Sequence, residues 1–382
     1  MPTVDLVKSS SVRVSARAKQ LASMFELAPE CTSERWRFSF DLPDEWSIGV
    51  IVGASGSGKS TVAGELFKDA LIDGFEWPAD GTIIDGFDGV PIKDVASILS
   101  QVGFSSPPAW FRPFSALSTG QKFRATVARA LATSPGTIAI DEYTSVVDRT
   151  VAQIGSAAVA KAVRAVGKRF VAVTCHYDVI EWLQPDWVLE MPDGTFTRRA
   201  VQRRPAVQLE VYRTTAEAWG AFRQHHYLNH DLNKAAACYV ATLDGRPVAF
   251  CSVLAFPHAV APGWRTHRTV CLPDFQGVGI GNKLAELVAS AYACTGKPVA
   301  STTTHPAMVR YRAKSPIWTM TREPSRNAAG NKTASAKTRS LNATTATNRY
   351  TATFRYVGPR NEQAAAAFGL DVRSAATARR KQ

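Results

Sequence analysis

The sequence predicts an α/β chain of two successive modules, and three observations carry that reading. A short apolar run, Ile48 to Val52, leads into the glycine-rich Gly53-Ala-Ser55-Gly56-Ser-Gly58-Lys59-Ser60-Thr61 and then into a helical pattern reaching about Phe67. A second apolar run, Thr269 to Leu272, leads into Gln276-Gly277-Val-Gly279-Ile-Gly281 and the amphipathic stretch Asn282 to Ala293. Between them the charge reverses: residues 1–200 carry 20 Lys and Arg against 23 Asp and Glu, and residues 201–382 carry 25 against 9. A chain of 382 residues can bury two such cores. The basic joint 201–206 therefore divides a first module, 1–200, from a second, 207–358, with a basic tail over 359–382.

Composition narrows the class. With 45% hydrophobic and 20% charged residues the chain is globular. No apolar run is long enough to span a bilayer, and the N-terminus lacks a signal-peptide core. The six cysteines are scattered without a Cys-x-x-Cys pair, which predicts reduced thiols, a cytoplasmic location and no zinc site. The net charge of +13 gathers in the second half, where residues 301–382 hold 15 basic residues against 3 acidic. That points to a polyanionic partner, RNA or DNA, or alternatively to a solvated basic surface.

In the first module, Val12 to Val14 reads as a strand, Ala16 to Phe25 as a helix and Arg35 to Leu42 as a strand. Phe25, Trp36 and Phe38 are candidates to stack on a nucleotide base or to fill the core. In the loop 53–61, glycines let several backbone N–H groups converge on one anion, and the following helix points its positive end there. Lys59 suits the phosphates and the Ser60 hydroxyl suits Mg²⁺. Gly81 to Gly89 reads as a strand and turn, and Asp94 to Ser100 as a helix closed by Gln101. Leu117-Ser118-Thr119-Gly120-Gln121 then precedes a helix over Lys122 to Leu131. The apolar strand Thr137 to Ile140 runs into Asp141-Glu142, and two carboxylates there are costly unless a metal or substrate waits. Asp141 suits Mg²⁺, and Glu142 suits the base that activates water. Asp148 follows, and the strand Phe170 to Thr174 ends at Cys175-His176.

Loop, Gln101, Leu-Ser-Thr-Gly-Gln, Asp141-Glu142, Asp148 and His176, in this order and spacing, resemble the motif set of ABC-type ATPases. The resemblance implies ATP and Mg²⁺ held by Gly53, Ser55, Gly56, Gly58, Lys59, Ser60, Thr61 and Asp141. It further implies that Gln101 senses metal and attacking water, Glu142 polarises that water and His176 contacts the γ-phosphate. Ser118 and Gly120 would reach the nucleotide of a second copy in an ATP-dependent homodimer. The chain departs from the pattern at Thr119, where glycine is usual, at Tyr143, where proline is usual, and at Val146-Val147. Gln101 and Leu117 are only 16 positions apart. Transporter ATPases place a helical subdomain there to grip membrane partners, so the short spacing argues against a transporter.

In the second module, Val207 to Arg213 reads as a strand, Ala216 to Tyr227 as a helix, and Ala237 to Leu243 and Pro247 to Leu254 as a hairpin turning at Asp244-Gly245. With the strand and glycine loop that follow, this order resembles the GNAT-type acetyltransferases. The resemblance implies an α+β domain in which backbone amides at Gln276, Gly277, Gly279 and Gly281 bind the pyrophosphate of acetyl-CoA or a related acyl-CoA. A base is needed to take the proton of the accepting amine. His305, at a helix start after the strand Val299 to Thr304, is a candidate, and the resemblance implies that Tyr311 reprotonates the leaving thiolate. His225, His226, His230 and Asp231 form a cluster readable as polar surface or as a metal site. Residues 325–348 read as a basic, low-complexity loop and Arg349 to Val357 as a last strand.

The expected function is an ABC-type ATPase fused to an acyl-CoA-dependent N-acyltransferase acting on or with nucleic acid. The alternatives are a nucleic-acid-binding ATPase of repair or defence with a non-catalytic second domain, and a transporter ATP-binding subunit.

Overall fold

The computed structural model describes residues 3–10, 15–24, 32–72, 74–198, 207–227, 230–257, 262–326 and 350–372. Phe25, the strand expected at 12–14, the joint 201–206, most of the loop 325–348 and the end of the tail lie outside the described residues. The chain folds as two compact units.

The first unit comprises Met1–Phe75, Thr133–Asp148 and Val163–Pro205. Its six-stranded sheet has the order Leu71–Ile72, Thr137–Ile140, Arg169–Thr174, Ile48–Val52, Trp187–Glu190, Thr195–Arg198. All neighbours are parallel except the last pair. Ile48–Val52 is buried along its whole length, as a central parallel strand covered on both faces must be. Thr3–Ser10 and Thr32–Ser39 form a separate antiparallel pair. Trp187 anchors the core: fully buried, it stacks on Phe67 at 6.1 Å and meets Trp46 edge-on at 5.3 Å. Gly49 passes so close that a side chain would stand 2.0 Å from the Trp187 ring. Trp187→Ala is expected to cost about 3–5 kcal/mol of unfolding free energy; a urea midpoint unchanged from the native protein would refute this.

The second unit comprises Glu76–Ala132, Arg149–Ala162 and Ala206–Gln382. Packing thus groups two segments from the N-terminal half with the C-terminal one. Its seven-stranded sheet runs Trp318–Arg326, Tyr350–Tyr356, Val299–Thr303, Gly263–Cys271, Arg246–Phe256, Ala237–Leu243, Glu210–Thr214. The pairing is antiparallel except between Gly263–Cys271 and Val299–Thr303. That parallel pair is in register only from Trp264–Thr266 against Val299–Ser301. The helix Ile280–Ala293 lays Leu284, Ala285, Val288, Ala289 and Tyr292 on this sheet, with Tyr239, Trp318 and Phe354 in the same core.

Several expectations require correction. Instead of a helix over 216–227 there are two 3₁₀ turns, Ala216–Ala221 and Arg223–His225. A three-residue period places Trp219 and Phe222 on one side, where both pack on Phe250. In place of a strand near 81–89 there is a single 3₁₀ turn, Ile84–Gly86. The Asp85 carboxylate accepts from both Thr82 N–H and Thr82 Oγ, a local alternative to strand pairing. The strand Trp318–Arg326 carries Pro324, which its place at the sheet edge allows.

Candidate functional sites

In the first unit, three strands of like direction end together. Ile48–Val52 delivers the glycine loop, Arg169–Thr174 delivers Cys175-His176, and Thr137–Ile140 delivers Asp141-Glu142. The carboxyl edge of a parallel sheet is where such folds hold ligands. Within the loop, Gly58 takes φ +87° and opens the helix Lys59–Leu66. A side chain there would lie 2.3 Å from the Trp36 ring, so Trp36 packs beneath the loop. Trp36 belongs to the buried core, and Phe38 packs half-buried against it. The Lys59 side chain is buried, with Nζ donating to the Ala54 carbonyl at 2.7 Å. Ser55, Gly56 and Ser60 are exposed, whereas Gly53 is buried and Thr61 half-buried.

Asp141 Oδ1 accepts from Glu142 N–H at 2.8 Å, and Glu142, at φ +50°, is exposed. A non-glycine residue in the left-handed region is strained and is kept only where its surroundings impose it. What imposes it here is Tyr143, fully buried, donating its N–H to Val173 and meeting Phe170 edge-on. Thr174 Oγ donates to the Tyr143 carbonyl at 3.0 Å and accepts from His176 N–H at 3.2 Å. The tyrosine that departs from the family pattern thus clips the carboxylate turn to the histidine strand.

Gln101 and the signature residues lie in the second unit. Gln101 ends the helix Ile92–Gln101 and donates its side-chain amide to Ser97 Oγ. The helix after the signature begins at Thr119, so Gly120 lies in its first turn rather than ahead of it. Ser118 N–H donates to Gln121 Oε1 at 3.1 Å, and Gln121 N–H reaches Ser118 Oγ at 3.4 Å. This reciprocal cap satisfies two otherwise orphaned donors. Ser118 is exposed; Gly120 is buried, with Val151 and the Asp274 carboxylate where a side chain would go.

A cleft open to solvent lies in the second unit, lined by Thr269, Val270 and Cys271, by Gln276 and Gly279 to Asn282, by His225 to Tyr227, and by His305. Ser105 and Pro107 close one side. It opens where the parallel strands have left register, beyond Thr266 and Ser301. Gly279 caps the helix Ile280–Ala293 at φ +95° with no atom within 4 Å of where a side chain would project. Backbone N–H groups at a helix start suit an anion. Gly277 is placed differently: it touches Gly103 and Ala158 closely enough that a side chain would come within 2.6 Å of each. The Gln276 amide is engaged as well, donating to Cys271 O at 2.7 Å and accepting from Ser105 N–H at 2.6 Å.

Two buried acceptors in the residues lining this cleft, Asn282 Oδ1 and His305 Nδ1, have no hydrogen-bond partner among the described residues. Each such group costs about 1–3 kcal/mol. His305 Nε2 lies 3.0 Å from the Ser105 carbonyl. Burial holds its pKa below the usual imidazole value against the opposing effect of that hydrogen bond. The Gln224 side-chain amide nitrogen lies 3.2 Å from His225 Nε2, and burial and Arg112 lower the His225 pKa. Cys271 stays a thiol: burial pushes its pKa up to about 12, and its Sγ–H donates to Phe275 O. Tyr311, by contrast, is absent from the cleft lining; its hydroxyl donates to Glu286 at 2.7 Å, and burial and that contact raise its pKa. Among the described residues no group of three or more His, Cys, Asp and Glu is placed to hold a metal ion.

His226 is 5% exposed, and burial, then Arg268, His267, His230 and His305, pull its pKa down to about 3; His267 falls to about 4. Between about pH 6.5 and 3 the unfolded imidazole takes up a proton that the folded one refuses. Their stabilising contribution is complete above pH 6.5 and lost as pH falls. The urea midpoint should therefore drop between pH 7 and 4.5, less steeply in His226→Phe, which keeps the ring contact with Trp219. Parallel pH curves for the two proteins would contradict this.

Comparison with known proteins follows the same division. The model of the acetyltransferase (GNAT) family matches residues 203–308. The N-terminal region is similar to the methionine import ATP-binding protein MetN of Cutibacterium acnes, 30% identical, with the match covering 27% of this chain. The chain spans 39% of that relative's length. Among solved structures, an ATP-binding cassette in a post-hydrolysis dimer with ADP and phosphate is 18% identical over 51% of this chain and 97% of its own, with a TM-score of 0.38. A bacterial Atm1-family ABC exporter with ATP bound is 21% identical over 43% of this chain and 34% of its own, with a TM-score of 0.32. The chain is thus similar to ABC ATP-binding proteins in its N-terminal region and matches the GNAT family model over residues 203–308. Among the described residues, no helix is long and apolar enough to cross a membrane.

Proposed function

We propose that this protein binds and hydrolyses ATP through its N-terminal motifs and transfers an acetyl or related acyl group from coenzyme A to an amine in the cleft of its second unit. The carrying observation is that the open helix start at Gly279 and the ring of His305, whose Nδ1 has no hydrogen-bond partner among the described residues, line one cleft. A coenzyme A thioester supplies an acyl carbon activated by a thiol leaving group. The helix start at Gly279 to Asn282 suits its pyrophosphate, while Gly277 and Gln276 shape the loop from behind. The amine nitrogen forms the new C–N bond as the C–S bond breaks, the sulfur leaves as thiolate, and the amine proton passes to His305 Nδ1. Burial holds Cys271 as a thiol, the less nucleophilic form, so direct transfer to the amine is favoured.

On the ATPase side, Lys59 and the loop amides hold phosphates, Ser60 and Asp141 suit Mg²⁺, and Glu142 orients the attacking water, with His176 beside it. Exposed Ser118 fits nucleotide-dependent pairing of two chains, and Gln101 suits sensing of the metal and the water. The favoured acceptor is nucleic acid or a ribonucleoprotein, because the charge excess lies in the second half. A second reading, an importer's ATP-binding subunit, draws on the similarity to MetN. Against it, Ser105 and Pro107, from the stretch where transporters build their membrane-facing subdomain, here wall the acyl cleft. The test is release of free thiol from acetyl-CoA with RNA, DNA and protein fractions. Turnover with none of them would remove the transferase reading, and co-purification with a membrane protein would favour the importer.

A further inference from the structure

Three successive carbonyls after Gln101 are each committed. Gly103 O accepts from Arg124 Nη1 at 3.0 Å, Phe104 O from Trp110 Nε1 at 2.8 Å, and Ser105 O meets His305 Nε2 at 3.0 Å. The intervening amide is committed too, Ser105 N–H donating to Gln276 Oε1. Arg124 is 1% exposed and also donates to the carbonyls of Pro273 and, at 2.5 Å, Asp274. A planar guanidinium fork can join several carbonyls in fixed geometry, which an ammonium cannot. One buried side chain thus ties the Gly103 strap to the turn entering the Gln276–Gly279 loop.

A carbonyl oxygen carries no proton and can only accept. His305 Nε2 must therefore bear the hydrogen, and in the neutral ring the lone pair falls to Nδ1. We propose that Gly103–Ser105, locked by Arg124 and Trp110, is a positioning element of the acyl-transfer cleft that fixes His305 in the Nε2–H tautomer. Its role in turnover rests on the acyl-transfer reading above; the tautomer rests on geometry alone.

The test uses the full chain with ¹⁵N-labelled histidine, His305→Gln assigning one signal among the seven histidines. The native protein should show His305 with Nε2 protonated and Nδ1 bare. Trp110→Phe keeps the ring and deletes one donor; Arg124→Lys keeps a cation and loses the fork. In both, the His305 signal should move toward a mixture of tautomers. The kcat for acyl transfer should fall roughly three- to tenfold, as loss of about one hydrogen bond implies, with KM for acyl-CoA within about twofold. Should Arg124→Lys not fold, the milder Trp110→Phe decides. A native His305 in the Nδ1–H form, or a single Nε2–H tautomer with unchanged kcat in the variants, overturns the proposal. If the native protein transfers no acyl group, the functional reading fails, while the nitrogen spectrum still decides the positioning.

Discussion

Glu142→Gln should lower ATP hydrolysis by roughly 10²–10⁴-fold, the usual worth of a positioned proton acceptor, while leaving ATP binding in place. The substitution keeps the side chain's shape and its contact with Ser145 Oγ, so the turn held by Tyr143 should persist. With hydrolysis blocked and ATP bound, the proposed pairing of two chains should accumulate. Size-exclusion chromatography with and without ATP reads this directly. Loss of ATP affinity would mean that Glu142 supports the loop, and a monomer under both conditions would remove the proposed dimer.

His305→Gln should reduce kcat for acyl transfer by a comparable roughly 10²–10⁴-fold. Glutamine can still donate to the Ser105 carbonyl through its amide, so the wall of the cleft keeps its tie. It offers no basic nitrogen at the Nδ1 position. The KM for acyl-CoA should move little, because the pyrophosphate is assigned to the helix start at Gly279. A near-native kcat would shift the proton-accepting role to another cleft residue, His225 first. A raised KM with native kcat would make His305 a binding group instead.

The ATPase motifs were legible because each is local. A buried strand, a glycine turn and a helix start are contiguous, and the parallel pairing then brings their ends to one edge of the sheet. The glycine loop after Leu272 was legible for the same reason, although Gly277 packs against Gly103 and Ala158 while Gln276 and Gly279 to Asn282 line the cleft. Ser105 was not legible as a wall of that cleft, since its partner Gln276 lies 171 positions away and nothing in either neighbourhood names the other. Two signals stood in plain sight. Ser118-x-x-Gln121 has capping-box spacing, and Arg124 is a charge on a helix face otherwise made of Val127, Ala128 and Leu131. A cation buried on an apolar face must find oxygens, and here it finds three carbonyls.

The strip Glu76–Ala132 sits between the glycine loop and the carboxylate strand along the chain, yet it packs with the C-terminal segment. A scissile cut through the polar joint at 201–206 would therefore not yield two self-sufficient pieces. The liberated C-terminal fragment would lose Ser105, Arg124 and Trp110, and with them one side of its own active-site candidate.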